Sequence, residues 1–449
     1  MSLSFSSIVA VTAVPYFSGT ELPIIEISSE KSLLDQEIGI VVNNLIPAEI
    51  ISIQAQTTDD NNTKWVSSAL FQANKKGVVD LSAESPREGS YSQIDPMGLL
   101  WSMQPDPLDF SAFKVKGDAF SVTFKVFRGK QEIATKEIVR LRKSEEVKRI
   151  TVQENGLVGI LFLAPSDKPL PVIITLSGSN GGLGENRAQL LASHGFGVLA
   201  LGYFGVEGLP SNLQDIPLEY FETAFSWLKS QSYLDGSRVG VYGASRGAEL
   251  ALILGSLFPE SVQAIGAIVP SSVIYGGLSE TPVNAWLYKN KPLAPLPSVS
   301  KADFSNGNGE DANHPVNTVQ NFLEGMKDEE AFKAAAIPVE KIRAPLLLVS
   351  SGDDQMWPST LYASQIQERL KAHKSPTSCE HLTYPRAGHG IGIPNIPLPG
   401  SSYYHPVSKK WFSMGGTIAD DQHASQDSWK KTIAFFQKSL KSEATKEHI

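Results

Sequence analysis

The distribution of apolar residues changes near residue 150, and this change limits the folds open to the chain. From there on, short and almost continuous apolar runs alternate with stretches of helical periodicity. The runs are Val172–Leu176, Val198–Leu201, Val239–Tyr242, Ala264–Val269 and Leu346–Val349. Strands that are apolar on both faces are typical of a parallel sheet covered by helices on both sides. The pattern therefore predicts a doubly wound α/β domain with a mainly parallel sheet.

Three stretches between and after these runs have the apolar spacing of amphipathic helices. In the first, the apolar stripe runs from Leu218 to Leu228, and Pro217 is suited to the first helical position. The other two stripes are Tyr362, Ile366 and Leu370, and Trp429, Ile433, Phe436 and Leu440. Each stripe predicts a helix that packs against the sheet.

The N-terminal third has a different pattern, in which apolar and polar residues alternate. The runs are Glu37–Val42, Ile51–Thr57, Trp65–Phe71, Phe120–Phe127 and Glu132–Leu141. This period of two is typical of half-buried strands, and the cluster from Asp59 to Asn62 suits a hairpin turn. The segment therefore predicts a β-sandwich that precedes the α/β domain.

These patterns divide the chain into an arm at 1–20, a β-sandwich domain at 21–145 and an α/β domain at 146–449. Residues 271–335 interrupt the α/β rhythm with five prolines and a glycine- and asparagine-rich stretch. Irregular segments of this length are often lids or binding loops. We therefore interpret 271–335 as an insertion near the functional site.

Composition excludes several classes of protein. The chain has 39 Lys and Arg against 47 Asp and Glu, and the formal charge of −8 argues against a nucleic-acid partner. Cys379 is the single cysteine, which excludes an intrachain disulfide. The sequence contains no cluster with metal-ligand spacing, so we expect neither a metal nor a cofactor. It leaves the oligomeric state open.

The N-terminal apolar run Ile8–Val14 is short, and the first basic residue of the chain is Lys31. A secretory signal has a basic segment before its apolar run, so we interpret this run as a strand or arm. No apolar stretch reaches the ~18 residues that a membrane span requires. We expect a cytoplasmic protein, with a secreted and trimmed chain as the alternative.

The residues Gly243 to Gly247 form a G-x-S-x-G motif centred on Ser245. The motif lies between an apolar strand and an Ala/Leu-rich helical run, and this strand–turn–helix context is typical of a nucleophile elbow in an α/β-hydrolase. A glycine-rich turn without any chemistry is the alternative interpretation. The motif and its context predict Ser245 as a nucleophile.

A serine hydroxyl needs a base, and in this fold the acid and then the histidine follow the serine along the chain. Asp353 and Asp354 both follow the strand that ends at Val349, and the loop spacing favours Asp354 over Asp353. His389 lies in a glycine-flanked loop after the last strand and is our candidate base. Among the rivals, we expect His405 and His423 to face solvent, His381 to belong to a strand and His194 to end a helix.

Acyl transfer also needs backbone donors for an oxyanion. We expect one from the N–H of Arg246, directly after the nucleophile. The other should come from the glycine-rich loop after Leu176, where we favour the N–H of Ser179 over that of Gly178. A phosphate-binding loop is disfavoured because no Gly-Lys-Ser/Thr motif is present.

Several segments are specific enough to suggest a family. They are Asp95–Trp101 (DPMGLLW), Leu190–Leu201 (LLASHGFGVLAL), Leu218–Glu222 (LEYFE), Asp353–Trp357 (DDQMW), Tyr384–His389 (YPRAGH) and Gly415–Gly416 with Gln426 and Trp429. From about residue 20 onwards, the chain resembles the acyl-CoA thioesterase and bile acid-CoA:amino acid N-acyltransferase family. The resemblance implies an immunoglobulin-like N-terminal domain, acyl-CoA substrates and a triad on Ser245, Asp354 and His389, and thus also favours Asp354.

The resemblance further implies hydrolysis over transfer to amino acids. Family members that transfer acyl groups typically use a cysteine nucleophile, and this chain has a serine at position 245. The loop after His389, Gly390 to Pro394, departs from the acidic and proline-paired ending that is usual in the family. Contacts with the substrate near the histidine are therefore not implied.

The sequence is consistent with three functions: an acyl-CoA thioesterase, a carboxylesterase, amidase or peptidase on the same scaffold, and a non-catalytic binding protein. The last is the weakest, because every triad member is present. Coenzyme A carries phosphates, which bind arginine and lysine side chains. The candidates for this contact are Arg187, Arg246, Lys409 and Lys410.

Overall fold

The computed structural model describes residues 21–110, 112–279, 281–297, 307–398 and 400–441. The predicted arm at 1–20, with its apolar run Ile8–Val14, lies outside the described residues. The N-terminal strands are β1 (Ile24–Ile27), β2 (Lys31–Leu33), β3 (Ile40–Asn43), β4 (Ile50–Thr58), β5 (Lys64–Gln72), β6 (Val79–Asp80), β7 (Glu88–Gly89), β8 (Gln104–Asp106), β9 (Ala119–Arg128) and β10 (Gln131–Leu141).

The strands of the remaining chain are β11 (Lys148–Val152), β12 (Gly159–Leu163), β13 (Leu170–Leu176), β14 (Gly197–Leu201), β15 (Ile216–Pro217), β16 (Leu234–Ala244), β17 (Ala264–Ile268), β18 (Trp286–Tyr288), β19 (Lys291–Pro292), β20 (Leu346–Ser351), β21 (Cys379–Tyr384), β22 (Ser402–His405) and β23 (Lys410–Ser413). The helices are α1 (Gly98–Trp101), α2 (Glu185–Ala192), α3 (Glu219–Ser230), α4 (Arg246–Leu257), α5 (Val319–Gly325), α6 (Glu329–Ala335), α7 (Ser359–Ala372) and α8 (Ile418–Phe436).

Two sheets form the N-terminal region. One has the order β1-β3-β6, and the other has the order β2-β10-β9-β4-β5-β7 with β8 beside β5. Alternate residues of β4, such as Ile51 and Ile53, are buried, as the period of two predicts. They share one core with Val42 of β3 and Val79 of β6, so the two sheets pack face to face. The predicted β-sandwich is confirmed, whereas its immunoglobulin-like character stays a prediction.

An eight-stranded sheet forms the centre of the remaining chain, in the order β11-β12-β14-β13-β16-β17-β20-β21. The six strands from β14 to β21 are parallel to one another, and β12 is antiparallel to both of its neighbours. Strand β13 is buried along its whole length, as expected for a central strand between helical layers. The predicted α/β-hydrolase fold with a mainly parallel sheet is confirmed.

The helices differ from their predicted positions at two ends. Pro217 belongs to β15 and α3 begins at Glu219, because Ile216 and Pro217 pair with Trp286 and Leu287. Helix α8 begins at Ile418, well before its apolar stripe, and Thr417 caps it by accepting a hydrogen bond from the Asp420 N–H at 3.1 Å. His423 lies on α8 and pairs with Asp95 at 3.3 Å, and its side chain is 33% exposed, so it faces solvent only in part.

The segment 271–335 is not irregular throughout, since its described part contains β18, β19, α5 and α6. Strand β18 pairs with β15, which ties this segment to the start of α3. The domain boundary near residue 145 stays a prediction, and contacts cross it: Asp35 accepts hydrogen bonds from Trp429 Nε1 at 2.7 Å and pairs with His194 at 2.6 Å. Among the described helices, none has the length and apolarity needed to cross a membrane.

Candidate active site

Ser245 lies at the sharp turn between β16 and α4. Its backbone has φ 57° and ψ −124°, a conformation that L-residues rarely adopt. The flanking glycines make this turn possible. A Cβ at Gly243 would lie 2.1 Å from the carbonyl oxygen of Gly247, and a Cβ at Gly247 would lie 2.6 Å from the carbonyl oxygens of Leu176 and Ser177. The G-x-S-x-G motif therefore has the elbow geometry that its context predicts.

The structure brings Asp354 and His389 together. His389 Nδ1 lies 3.0 Å and 2.9 Å from the two carboxylate oxygens of Asp354, and both side chains are buried. Backbone N–H groups of Met356 and Trp357 donate to Asp354 Oδ1 at 3.0 and 3.2 Å, which fixes the carboxylate. This arrangement places the Nδ1 proton of His389 between the ring and the acid, and it leaves Nε2 to act as a base.

Asp353, the alternative acid, has a different role in the loop. Its Oδ2 accepts a hydrogen bond of 2.9 Å from the backbone N–H of Gly416. Its own N–H donates to the Ala387 carbonyl at 3.1 Å. Asp353 therefore ties three loops together, and it is Asp354 that contacts the histidine.

Ser245 and His389 line the same two cavities. One has a volume of about 300 Å³ and includes Gly178, Ser179 and Arg187 in its wall. The other has a volume of about 170 Å³ and a mostly apolar wall. Ser245 and His389 thus border a common space that is large enough for part of a substrate.

The two expected oxyanion donors lie beside this space. Ser179 and Arg246 both line the smaller cavity, and neither backbone N–H donates a hydrogen bond to an acceptor among the described residues. Gly178 lies against Ser245, since a Cβ there would be 3.6 Å from the Ser245 Cβ. The arrangement can therefore supply backbone donors to an oxygen that develops negative charge near Ser245.

The Arg246 side chain is used within the protein. Its guanidinium donates to the carbonyl oxygens of Tyr275 and Gly276 at 3.0 Å and pairs with Glu249 at 3.3 Å. Burial raises the pKa of Glu249, which also accepts a hydrogen bond from Trp286 Nε1 at 2.8 Å. Arg246 therefore anchors the start of the 271–335 segment, and its guanidinium is not free for a substrate phosphate.

His405 is a residue of the site that the sequence analysis placed in solvent, and that prediction is wrong. It is 4% exposed and lines the smaller cavity together with Ser245 and His389. Its Nδ1 accepts the N–H groups of Val407 and Ser408, so Nε2 carries the proton and donates to Ser179 Oγ at 2.8 Å. Burial lowers the pKa of His405, which favours this neutral form.

Asp421 of α8 is a second residue that the sequence did not indicate. It is 5% exposed, and its Oδ1 accepts the backbone N–H of Gly388 at 2.6 Å, next to the candidate base. Burial raises its pKa to about 7, and the nearby carboxylates of Asp420 and Asp354 act in the same direction. Asp421 thus fixes the loop that carries His389.

Two other histidines, His381 and His194, lie away from this cavity. His381 belongs to β21, as predicted, and contacts Ser350 Oγ at 2.8 Å. His194 follows the end of α2, before Gly195 with its φ of 83°, also as predicted. Within the described part of the chain, no group of three or more His, Cys, Asp or Glu side chains is arranged to hold a metal ion.

The family models and the curated relatives that match this chain all belong to one protein family. Residues 216–442 match the BAAT/acyl-CoA thioester hydrolase C-terminal model, and residues 35–154 match the acyl-CoA thioester hydrolase/BAAT N-terminal model. The chain is 31% identical to acyl-coenzyme A thioesterase 6 of Mus musculus over 93% of this chain and 97% of that protein. It is 30% identical to acyl-coenzyme A amino acid N-acyltransferase 1 of Mus musculus over 91% and 96% of the two chains. On these matches, the chain belongs to the BAAT/acyl-CoA thioester hydrolase family.

Proposed function

We propose that this protein is a serine hydrolase that cleaves acyl-CoA to a free acid and coenzyme A. Ser245 is the nucleophile, His389 is the general base, and Asp354 orients the histidine. The observation that carries this proposal is the shared cavity of Ser245 and His389, combined with the contact between His389 Nδ1 and Asp354. Two mouse relatives of almost full coverage carry the name acyl-coenzyme A thioesterase, which supports the choice of substrate.

The reaction has two steps. His389 Nε2 accepts the Ser245 hydroxyl proton while Oγ attacks the thioester carbonyl carbon, and the backbone N–H groups of Ser179 and Arg246 receive the oxyanion. The carbon–sulfur bond then breaks, and the thiolate of coenzyme A takes the proton from His389. In the second step His389 deprotonates a water molecule, which attacks the acyl-serine and releases the acid and the Ser245 hydroxyl.

Transfer of the acyl group to an amino acid is the second candidate function, because two relatives are named as amino acid N-acyltransferases. The serine at position 245 favours water as the acceptor, since acyltransferases that the chain resembles typically use cysteine there. The two functions are separated by measuring product with and without glycine or taurine. We expect free acid as the product in both cases.

The direct test is a steady-state assay of purified protein with acyl-CoA and with p-nitrophenyl esters of the same acyl group. We expect turnover of acyl-CoA by the natural protein and loss of turnover, by at least about a thousandfold, in Ser245→Ala. Ester turnover without any acyl-CoA turnover would favour a carboxylesterase. A cytoplasmic location stays a prediction, which imaging of the tagged chain tests.

A further inference from the structure

Two surfaces of different character meet at Ser245. The cavity of about 170 Å³ has a mostly apolar wall that includes Phe322, Trp357 and Phe412. The cavity of about 300 Å³ shares Asn180, Arg187, Gly390 and Leu398 with a third, more open cavity of about 720 Å³. The two larger cavities carry the side chains of Asn180 and Arg187, so a substrate with an apolar part on one side of its carbonyl and an anionic, polar part on the other side fits this division.

Arg187 is the only lysine or arginine among the described residues that line the two larger cavities. It is partly buried, and its guanidinium has no ion pair or hydrogen bond within the described chain. The two residues before it on α2 have partners other than Arg187. Glu185 forms an ion pair with Arg149 at 2.8 Å, and Asn186 accepts a hydrogen bond from Arg142. The cation of Arg187 is therefore left available to an anion in the cavity.

The other candidate cations do not reach this space. The Arg246 guanidinium is held by Glu249 and two carbonyl oxygens. Lys409 and Lys410 are exposed and are absent from the described walls of all three cavities. The chain has a formal charge of −8, so its long-range field does not attract a polyanion, and a local cation must do so.

From this arrangement we infer that Arg187 binds a phosphate group of the coenzyme A leaving group, which occupies the two larger cavities, while the acyl group enters the apolar cavity. The inference rests on the proposed function and assigns the two ends of the substrate. It concerns binding and not the chemical step, because the phosphates of coenzyme A are remote from the thioester. Loss of the Arg187 cation should therefore change KM and leave kcat unchanged.

The test uses one acyl group on two leaving groups: coenzyme A and N-acetylcysteamine, which has the thiol but no phosphate. We expect Arg187→Gln to raise KM for acyl-CoA about tenfold, as for loss of a hydrogen-bonded ion pair, and to leave kcat/KM for the N-acetylcysteamine thioester unchanged. Arg187→Lys keeps the positive charge but not the planar guanidinium. Its KM for acyl-CoA should therefore lie between the values of the natural protein and of Arg187→Gln. Lys130→Gln, the same charge change on the exposed turn between β9 and β10, is the matched control.

Binding of free coenzyme A to Ser245→Ala, measured by calorimetry with and without Arg187→Gln, makes the result independent of turnover. Weaker binding in the double variant supports the inference even if acyl-CoA is not hydrolysed, in which case only the proposed function fails. Equal KM and equal coenzyme A affinity in the Arg187 variants would overturn the inference. An equal loss on both thioesters would also overturn it, because that result indicates a structural role.

Discussion

His405 and Ser179 are joined by a hydrogen bond of 2.8 Å from His405 Nε2 to Ser179 Oγ, although 226 residues separate them in the chain. The contact fixes the loop after β13 against the hairpin of β22 and β23. Ser179 is the residue whose backbone N–H we assign to the oxyanion. In the proposed mechanism, the position of this donor therefore depends on His405, to which we assign no proton transfer.

Removal of His405 should reduce catalysis more than binding. In His405→Ala the Ser179 loop loses its fixed donor, and we expect kcat to fall about tenfold while KM changes little, as for a misplaced oxyanion donor. His405→Gln keeps an N–H near the Nε2 position and should restore part of kcat. A double-mutant cycle with Ser179→Ala measures the coupling, and additive effects would contradict the positioning role.

The neighbouring carboxylates Asp353 and Asp354 offer a matched pair of variants. Asp354→Asn keeps the shape but removes the charge that faces His389 Nδ1, and we expect kcat to fall on the order of 10³- to 10⁴-fold. Asp353→Asn keeps an acceptor for the Gly416 N–H, so we expect its kcat to fall less than about threefold. Steady-state rates of both variants decide the assignment, and a reversed order would transfer the role to Asp353.

Asp421 makes stability depend on pH. Burial raises its pKa in the folded state to about 7, whereas an unfolded aspartate titrates near 3.9. Between these values the folded state holds a proton that the unfolded state has lost, so the free energy of unfolding decreases as pH rises from about 4 to about 7. The total decrease from this group is at most about 4 kcal/mol.

Asp421→Asn should remove this contribution. Urea unfolding at pH 5 and pH 8 is the measurement, and we expect the variant to gain stability relative to the natural protein at pH 8 but not at pH 5. The amide oxygen of asparagine still accepts the Gly388 N–H, so the loop keeps its contact. An identical pH dependence of the two proteins would show that Asp421 is charged when folded.

The elbow requires a glycine at position 243. A Cβ there would lie 2.1 Å from the Gly247 carbonyl oxygen. Relief of this clash requires a shift of the backbone, which costs more free energy than a change of side-chain rotamer. Gly243→Ala should therefore cost about 3 kcal/mol of stability. In the control Gly39→Ala, the added Cβ meets Ser28 at an ordinary 3.7 Å, and little change is expected. Equal unfolding free energies for the two variants would refute the packing argument.

The features that the sequence predicts correctly are those encoded by neighbouring residues. The turn at Ser245 depends on two glycines within two residues of it, and the strand and helix on either side are marked by their own apolar patterns. The sequence predicts His389 as a base because its loop follows the last strand of the sheet, and the structure places its Nδ1 2.9 Å from Asp354 Oδ2.

Two residues of the site, His405 and Asp421, are not predicted from the sequence, because contacts between distant segments place them there. His405 lies on the hairpin of β22 and β23, which contacts the Ser179 loop. No pattern in the residues around His405 predicts that contact. Asp421 is a polar residue near the start of a helix, and only the tertiary contact with Gly388 distinguishes it from a solvated carboxylate. Such contacts are fixed by packing of the whole domain and not by local propensity.

The most direct test of the account is the detection of an acyl group on Ser245. The protein is mixed with acyl-CoA, quenched in acid within milliseconds to seconds and analysed by intact mass and peptide mapping. We expect a burst of free coenzyme A and an acyl adduct on the peptide that contains Ser245, and neither in Ser245→Ala. Turnover of acyl-CoA with no adduct on Ser245, and with full activity in Ser245→Ala, would contradict the account.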